Sequence, residues 1–310
     1  MAADLRTNVG ALSLKTPILA ASGTFGYGVE FAELIDLSAL GGFVTKGLSL
    51  RPRKGNPPPR IHDTACGMLN SIGLHNIGVE AFLRDKVPLL RKIDTRIIAN
   101  IYGETPDDFV EVAKALASEE RIDAVEVNVS CPNVAKGGLD LGTDPDLVRD
   151  LLARIRRVYH KPMWAKLTPN VTDVRAIARA AIDGGADALS LINSVRAMAL
   201  DWKTRRPHLS SRFGGLTGPA IKPIALARVF EVAMNFDIPI VGIGGIANET
   251  DVLEFLVAGA SAVQIGTQNF VRADACVRIT EGLKSTLERE KIATVRELVR
   301  GMHEGPQKTP

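Results

Sequence analysis

The sequence predicts an α/β fold of the (β/α)8 barrel kind, a single barrel with an N-terminal β-hairpin and long loops on the C-terminal face. Three observations predict it. Short β-branched runs alternate eight times with longer segments of helical period, the pattern of repeated strand–helix units on a parallel sheet. Polar residues collect at the carboxyl ends of many of those runs, whereas a doubly wound sheet, the competing arrangement, would gather them at one crevice. Glycine-bearing turns, Gly244-Gly245 and Gly266-Thr267, follow the seventh and eighth runs, where such barrels often bind phosphate.

In chain order, the segment from Val9 to Leu14 reads as a hairpin that closes the barrel floor. Strands are expected at 18–22, 42–46, 96–101, 124–128, 163–167, 188–192, 239–243 and 262–265. Helical spacing of apolar residues marks 106–118, 144–159, 174–183, 220–235 and 248–257. Thr105-Pro106 and Asp144-Pro145 look like helix starts, with a capping side chain before a first-turn proline. Two inserts, 47–76 and 194–219, leave from strand ends on the same face, and long ordered loops there shape a site. No composition break divides the chain, so residues 1–310 are read as one domain, with 305–310 expected to fray.

Composition narrows the function. The chain has 310 residues, 45% of them hydrophobic, enough for a large core. The net charge of +3 is scattered, which implies neither nucleic acid nor an acidic membrane as partner. No basic region with an apolar core opens the chain, and no apolar run reaches the ~18 residues of a membrane span, so a cytoplasmic location is expected. Three cysteines, Cys66, Cys131 and Cys276, are too few for an iron–sulfur cluster, which normally takes four ligands. No metal-ligand spacing is present, and no metal site is expected.

The stretch Asn128-Val129-Ser130-Cys131-Pro132-Asn133 carries the chemistry. A strand ending in a proline-stiffened turn can present Cys131 Sγ to a ligand, and the flanking Asn128 and Asn133 offer donors and acceptors to a polar planar molecule. Such a thiol suits proton abstraction from carbon; acyl transfer would call for a histidine partner, and none of the five histidines stands in a recognisable pairing with it. Lys46 and Lys166 end the second and fifth strands, where an ammonium group would face the barrel mouth and stabilise developing negative charge. Asn70 and Asn193 join the two other asparagines on that face. Gly137-Gly138, beyond the hexapeptide, is read either as the hinge of a lid or as part of an ordered connection that does not move. Cys276 is read as a small buried hydrophobe, and the basic stretch 51–60 as a solvated loop or a docking surface.

With Ala21-Ser22-Gly23, Thr45-Lys46-Gly47, Met68-Leu69-Asn70-Ser71-Ile72-Gly73-Leu74, Ala99-Asn100-Ile101, Lys166-Leu167-Thr168-Pro169, Ile192-Asn193-Ser194, Gly244-Gly245 and Gly266-Thr267, the hexapeptide resembles the dihydroorotate dehydrogenases of class 1 over nearly the whole chain. The stretches 53–57 and 214–223 look like the NAD-linked type B catalytic subunit rather than the fumarate-linked type. That resemblance implies oxidation of dihydroorotate to orotate in pyrimidine biosynthesis, with Cys131 as the base and one FMN per chain as hydride acceptor. It places substrate against Lys46, Asn70, Ile72, Gly73, Leu74, Asn128, Asn133, Asn193 and Ser194. It places the flavin against Ala21, Ser22, Gly23, Lys46, Gly47, Asn100, Asn128, Lys166, Ile192, Gly218, Gly244, Gly245, Gly266 and Thr267. It further implies a homodimer joined to an electron-transfer subunit carrying FAD and an iron–sulfur cluster, a heterotetramer that delivers electrons to NAD, since no GxGxxG follows a strand here. Gly47, where a serine is frequent, and Arg196 depart from the family pattern. Rival readings are a flavin barrel for uracil or thymine, a fumarate-linked enzyme, and a non-catalytic barrel that binds a phosphate metabolite.

Overall fold

The structure is a computed structural model that describes residues 2–130 and 141–302. Eight parallel strands, Ile18–Ala20, Gly42–Val44, Arg96–Ile101, Ala124–Asn128, Met163–Lys166, Ala188–Leu191, Ile240–Ile243 and Ala262–Ile265, pair in chain order and close when the last meets the first at Val263 opposite Ile18. Each lies inside the range expected from sequence. Several stop a residue or two early, although interstrand bonds such as the Thr45 N–H to the Ile98 carbonyl and the Leu167 N–H to the Ser190 carbonyl, both at 2.9 Å, still run past their ends.

Alternation along the strands sorts their side chains. Residues facing outward, such as Val125 and Val127, pack beneath the helices in the main core. Those facing inward stack in layers. Leu19, Val44, Ile98, Ala124, Trp164, Ala188, Val241 and Ala262 form the lowest layer, sealed by Val9, Leu12 and Leu14 of the hairpin Thr7–Val9 and Leu12–Leu14. The hairpin therefore plugs the floor. Two residues further along, the inward positions turn polar: Asn100, Glu126, Lys166, Ser190 and Gln264, all buried.

The helices start where side chains can satisfy free backbone N–H groups. Thr105 and Asp108 form a reciprocal cap for Pro106–Ala117, Asp144 accepts from Asp146 and Leu147 ahead of Pro145–Arg156, and Asn248 with Asp251 caps Glu249–Ala258. Val174–Asp183, Lys222–Ala233 and Ala275–Arg289 complete the longer helices. Pattern reading passes over residues 79–90, where a π turn at Phe82–Lys86 followed by Pro88 breaks the 3.6-residue period.

The two long inserts meet. Their strands form one antiparallel sheet in the order Val195–Ala197, Gly214–Thr217, Gly67–Asn70, Ile61–Thr64. Asn70 pairs with Gly215 and Leu69 with Leu216, so segments far apart in the chain jointly roof the barrel mouth. Gly215 has to be a glycine, because a Cβ there would stand 2.1 Å from Ser194 Oγ.

Candidate functional site

Two adjoining clefts open on the carboxyl face between barrel and roof. The first encloses about 960 Å³, open solvent included, and brings together Ala21, Ser22, Gly23, Lys166, Ile192, Gly218, Gly244, Gly245, Gly266 and Thr267. The second is lined by Gly73, Leu74 and Asn128. Asn70, Ile72, Asn193 and Ser194 line both and form the shared wall. Lys46, Gly47 and Asn100 are not among the residues lining either cleft. Cys131 and Asn133, with the expected lid at 134–139, lie outside the described residues.

The wall is built by hydrogen bonds between loop and barrel. Asn193 Nδ2 donates to Asn128 Oδ1 at 3.1 Å, Asn193 Oδ1 accepts from the Ser194 N–H at 2.8 Å, and Asn70 Nδ2 donates to the Gly215 carbonyl at 3.2 Å. The carboxamides are thereby oriented before any ligand arrives. Ser130 Oγ donates to the Lys166 carbonyl at 3.0 Å, which ties the turn after the fourth strand to the end of the fifth. Leu74, in the left-handed region at φ 59°, is held there because Tyr102 Oη and Asn76 Nδ2 both donate to its carbonyl, at 2.8 and 2.9 Å. A non-glycine residue in that conformation costs on the order of 1–3 kcal/mol, so the bend at the cleft edge depends on these donors.

Beneath the first cleft lies the polar barrel layer. Glu126 is wholly buried and accepts from Asn100 Nδ2 at 2.8 Å and Gln264 Nε2 at 2.6 Å, while Lys166 Nζ stands 3.5 Å from its Oε1. This contact uses Nδ2 of Asn100. Lys46, half-buried, has its ammonium pKa pushed down, first by desolvation and then by the Arg60 guanidinium. A side chain on Gly47 would crowd Asn100 Oδ1 at 3.0 Å.

The first cleft suits a flat, phosphorylated ligand. Ile192, Ile243 and Met68 supply apolar walls and Lys166 a cation. At Gly23 a Cβ would meet nothing within 4 Å and at Gly266 nothing nearer than the Ala21 methyl at 3.7 Å, so both backbones border open space in which anionic oxygens can approach the N–H groups. The second cleft suits a smaller ring with alternating donors and acceptors.

Reading by motif passed over Glu126, Gln264, Ser130 and Asn170, whose Nδ2 donates to the Ser194 carbonyl at 3.3 Å. For Glu126 the signal was there: a carboxylate midway along an apolar strand is buried on one face or the other. Cys276 is buried with Sγ 3.3 Å from Asn269 Oδ1, and desolvation pushes its thiol up to about 12. Cys66 is exposed in the turn between two roof strands. In the basic stretch, Arg53 pairs with Glu104, and Arg60 donates to the Asn56 and Lys54 carbonyls. Among the described residues no cluster of three acidic, histidine or cysteine side chains is placed to hold a metal, and no helix is long and apolar enough to cross a membrane.

Comparison with known proteins bears on these clefts. The family model described as Dihydroorotate dehydrogenase matches residues 4–287. A Thermodesulfovibrio yellowstonii protein named dihydroorotate dehydrogenase B (NAD(+)), catalytic subunit, is 50% identical over 95% of this chain and 97% of its own. A Solidesulfovibrio magneticus protein of the same name is 53% identical over 91% of this chain and 93% of its own. A Solibacter usitatus relative, 50% identical over 96% of this chain and 98% of its own, carries the provisional name dihydroorotate dehydrogenase A (fumarate). The fold matches the crystal structure of an Eimeria tenella dihydroorotate dehydrogenase in complex with ferulenol, with a TM-score of 0.80, 22% identity and coverage of 97% of this chain and 89% of that one. By a family match over most of its length and relatives at about half identity, the chain belongs to the dihydroorotate dehydrogenase family.

Proposed function

We infer that this chain oxidises dihydroorotate to orotate in pyrimidine biosynthesis, as the catalytic subunit of an NAD-linked enzyme. The observation that carries the reading is the pair of clefts sharing Asn70, Asn193 and Ser194, one with a cation and open glycine backbone, the other ringed by carboxamides. In family terms these are a flavin site and a substrate site, and the whole chain acts as one FMN-binding barrel.

FMN would rest against Ala21, Ser22, Gly23 and Ile192, its phosphate at the backbone of Gly244, Gly245, Gly266 and Thr267, with Gly218 alongside. When bound, it supplies the two-electron acceptor for the C6 hydride of the substrate. Asn70, Asn128, Asn193 and Ser194 meet the ring N–H and C=O edges, with Asn133 assigned to the same task from sequence. Cys131 Sγ takes the C5 proton, which leaves the ring double bond of orotate. A thiol with an ordinary pKa near ~8.5 is only a few per cent ionised at neutral pH, so turnover climbs with alkalinity unless the site lowers that value. Lys166 supplies the positive charge that negative charge gathering on the cofactor requires.

Electrons leave through a second polypeptide bearing FAD and an iron–sulfur cluster, on a dimer of this chain, in the cytoplasm. The Solibacter usitatus relative favours a second acceptor, fumarate taken directly. Purified chain with dihydroorotate should reduce an artificial dye but not NAD, and gain NAD reduction when the partner is added. Direct fumarate reduction by the chain alone would move it to type A. Competition between orotate and uracil for the bound flavin's spectrum separates this reading from a uracil- or thymine-type barrel, in which uracil would displace orotate.

A further inference from the structure

We propose that Glu126 is a positioning residue that offsets the charge of Lys166 and thereby sets the reduction potential of the flavin. The inference rests on the function proposed above and adds to it a residue that meets neither substrate nor cofactor.

Glu126 lies on the inner face of the fourth strand and is wholly buried. Three groups from three other strands converge on its carboxylate: Asn100 Nδ2 at 2.8 Å, Gln264 Nε2 at 2.6 Å and Lys166 Nζ at 3.5 Å. Two of the three are neutral amides that donate, so both oxygens are held as acceptors. Lys166 in turn lines the first cleft while only 7% exposed, which leaves its ammonium one neighbour of opposite charge below, among the described residues, and the ligand above. The cleft floor is therefore an ion pair rather than a bare cation.

That difference has a redox consequence. A bare cation stabilises the reduced, more negative cofactor strongly; a buried carboxylate 3.5 Å behind the cation takes part of this away and lowers the potential. An enzyme that must hand its electrons onward gains from the lower value. The site also tolerates the necessary test. Gln264 Oε1 is buried without a hydrogen-bond partner among the described residues, so rotating that amide presents an acceptor to the new side-chain N–H2 in Glu126→Gln.

The experiment measures the flavin potential by anaerobic equilibration with reference dyes for wild type, Glu126→Asp and Glu126→Gln, each reconstituted with FMN. Glu126→Gln should raise the ratio of reduced to oxidised flavin at fixed dye poise by about tenfold or more, ~30 mV for a two-electron couple. Glu126→Asp keeps the charge but withdraws it from Lys166, and should fall between the other two. No shift in Glu126→Gln, a downward shift, or equal shifts in both variants would overturn the inference, the last because it would mark a merely structural role. If Glu126→Gln does not fold, the sign of the Glu126→Asp shift decides alone. Should wild type take up no FMN, the functional reading itself fails, an outcome distinct from wild type that binds FMN, bleaches with dihydroorotate and shows no ordered shift.

Discussion

Replacing Lys166 by Met should destabilise the apoprotein far more than the loss of one surface lysine would. The side chain is 8% exposed and its Nζ sits 3.5 Å from a carboxylate with no exposure at all. At an effective dielectric of about 20, that separation corresponds to about 5 kcal/mol of attraction. Desolvation consumes part of this, yet removing one member leaves Glu126 charged and buried with only two amide donors, and breaking such pairs costs about 3–5 kcal/mol. The double variant Lys166→Met, Glu126→Gln removes the stranded charge and should recover about 2 kcal/mol or more of that loss. Urea unfolding of the four apoproteins, followed by fluorescence, gives the cycle. A Lys166→Met cost below about 1 kcal/mol, or strictly additive variants, would refute the claim that the barrel layer holds a working ion pair.

Other outcomes follow from single contacts. Cys131→Ala should leave FMN bound and yellow but slow bleaching by dihydroorotate by several orders of magnitude in stopped-flow absorbance; unchanged kinetics would remove Cys131 from the mechanism. Tyr102→Phe removes one of the two donors that hold Leu74 in its left-handed bend, and should cost about 1 kcal/mol in unfolding free energy and weaken orotate binding measured by flavin spectral titration. The Cys276 thiol, raised by burial from 9.0 to about 12, stays protonated in the folded chain while the unfolded chain ionises. Its contribution to stability is therefore intact well below pH 9 and lost as pH climbs towards 12, so between pH 7 and pH 11 wild type should lose about 2.7 kcal/mol more than Cys276→Ala in denaturant titrations.

The barrel was legible because its signals are local. A parallel strand buried on both faces reads as a short β-branched run, and Ala124–Asn128 and Arg96–Ile101 fall where the pattern puts them. Helix starts were equally plain, since Thr105 and Asp144 announce themselves by their chemistry next to proline. The roof was not. Its central pairing joins Asn70 to Gly215 across two inserts, and register between segments so distant is fixed by tertiary packing that no short window contains. The same holds for Glu126: its partners Asn100, Lys166 and Gln264 become neighbours only when the sheet closes. Asn100 likewise shows a contact no short window contains: its Nδ2 donates to that carboxylate on the neighbouring strand.

Anaerobic titration of the pure, FMN-loaded chain with dihydroorotate, followed in the visible spectrum, puts cofactor, substrate and reaction to one test. The account predicts a yellow protein that bleaches stoichiometrically and releases orotate, with Asn70→Ala and Asn193→Ala weakening the response. A protein that takes up no flavin, or one that bleaches with dihydrouracil but not with dihydroorotate, would contradict it.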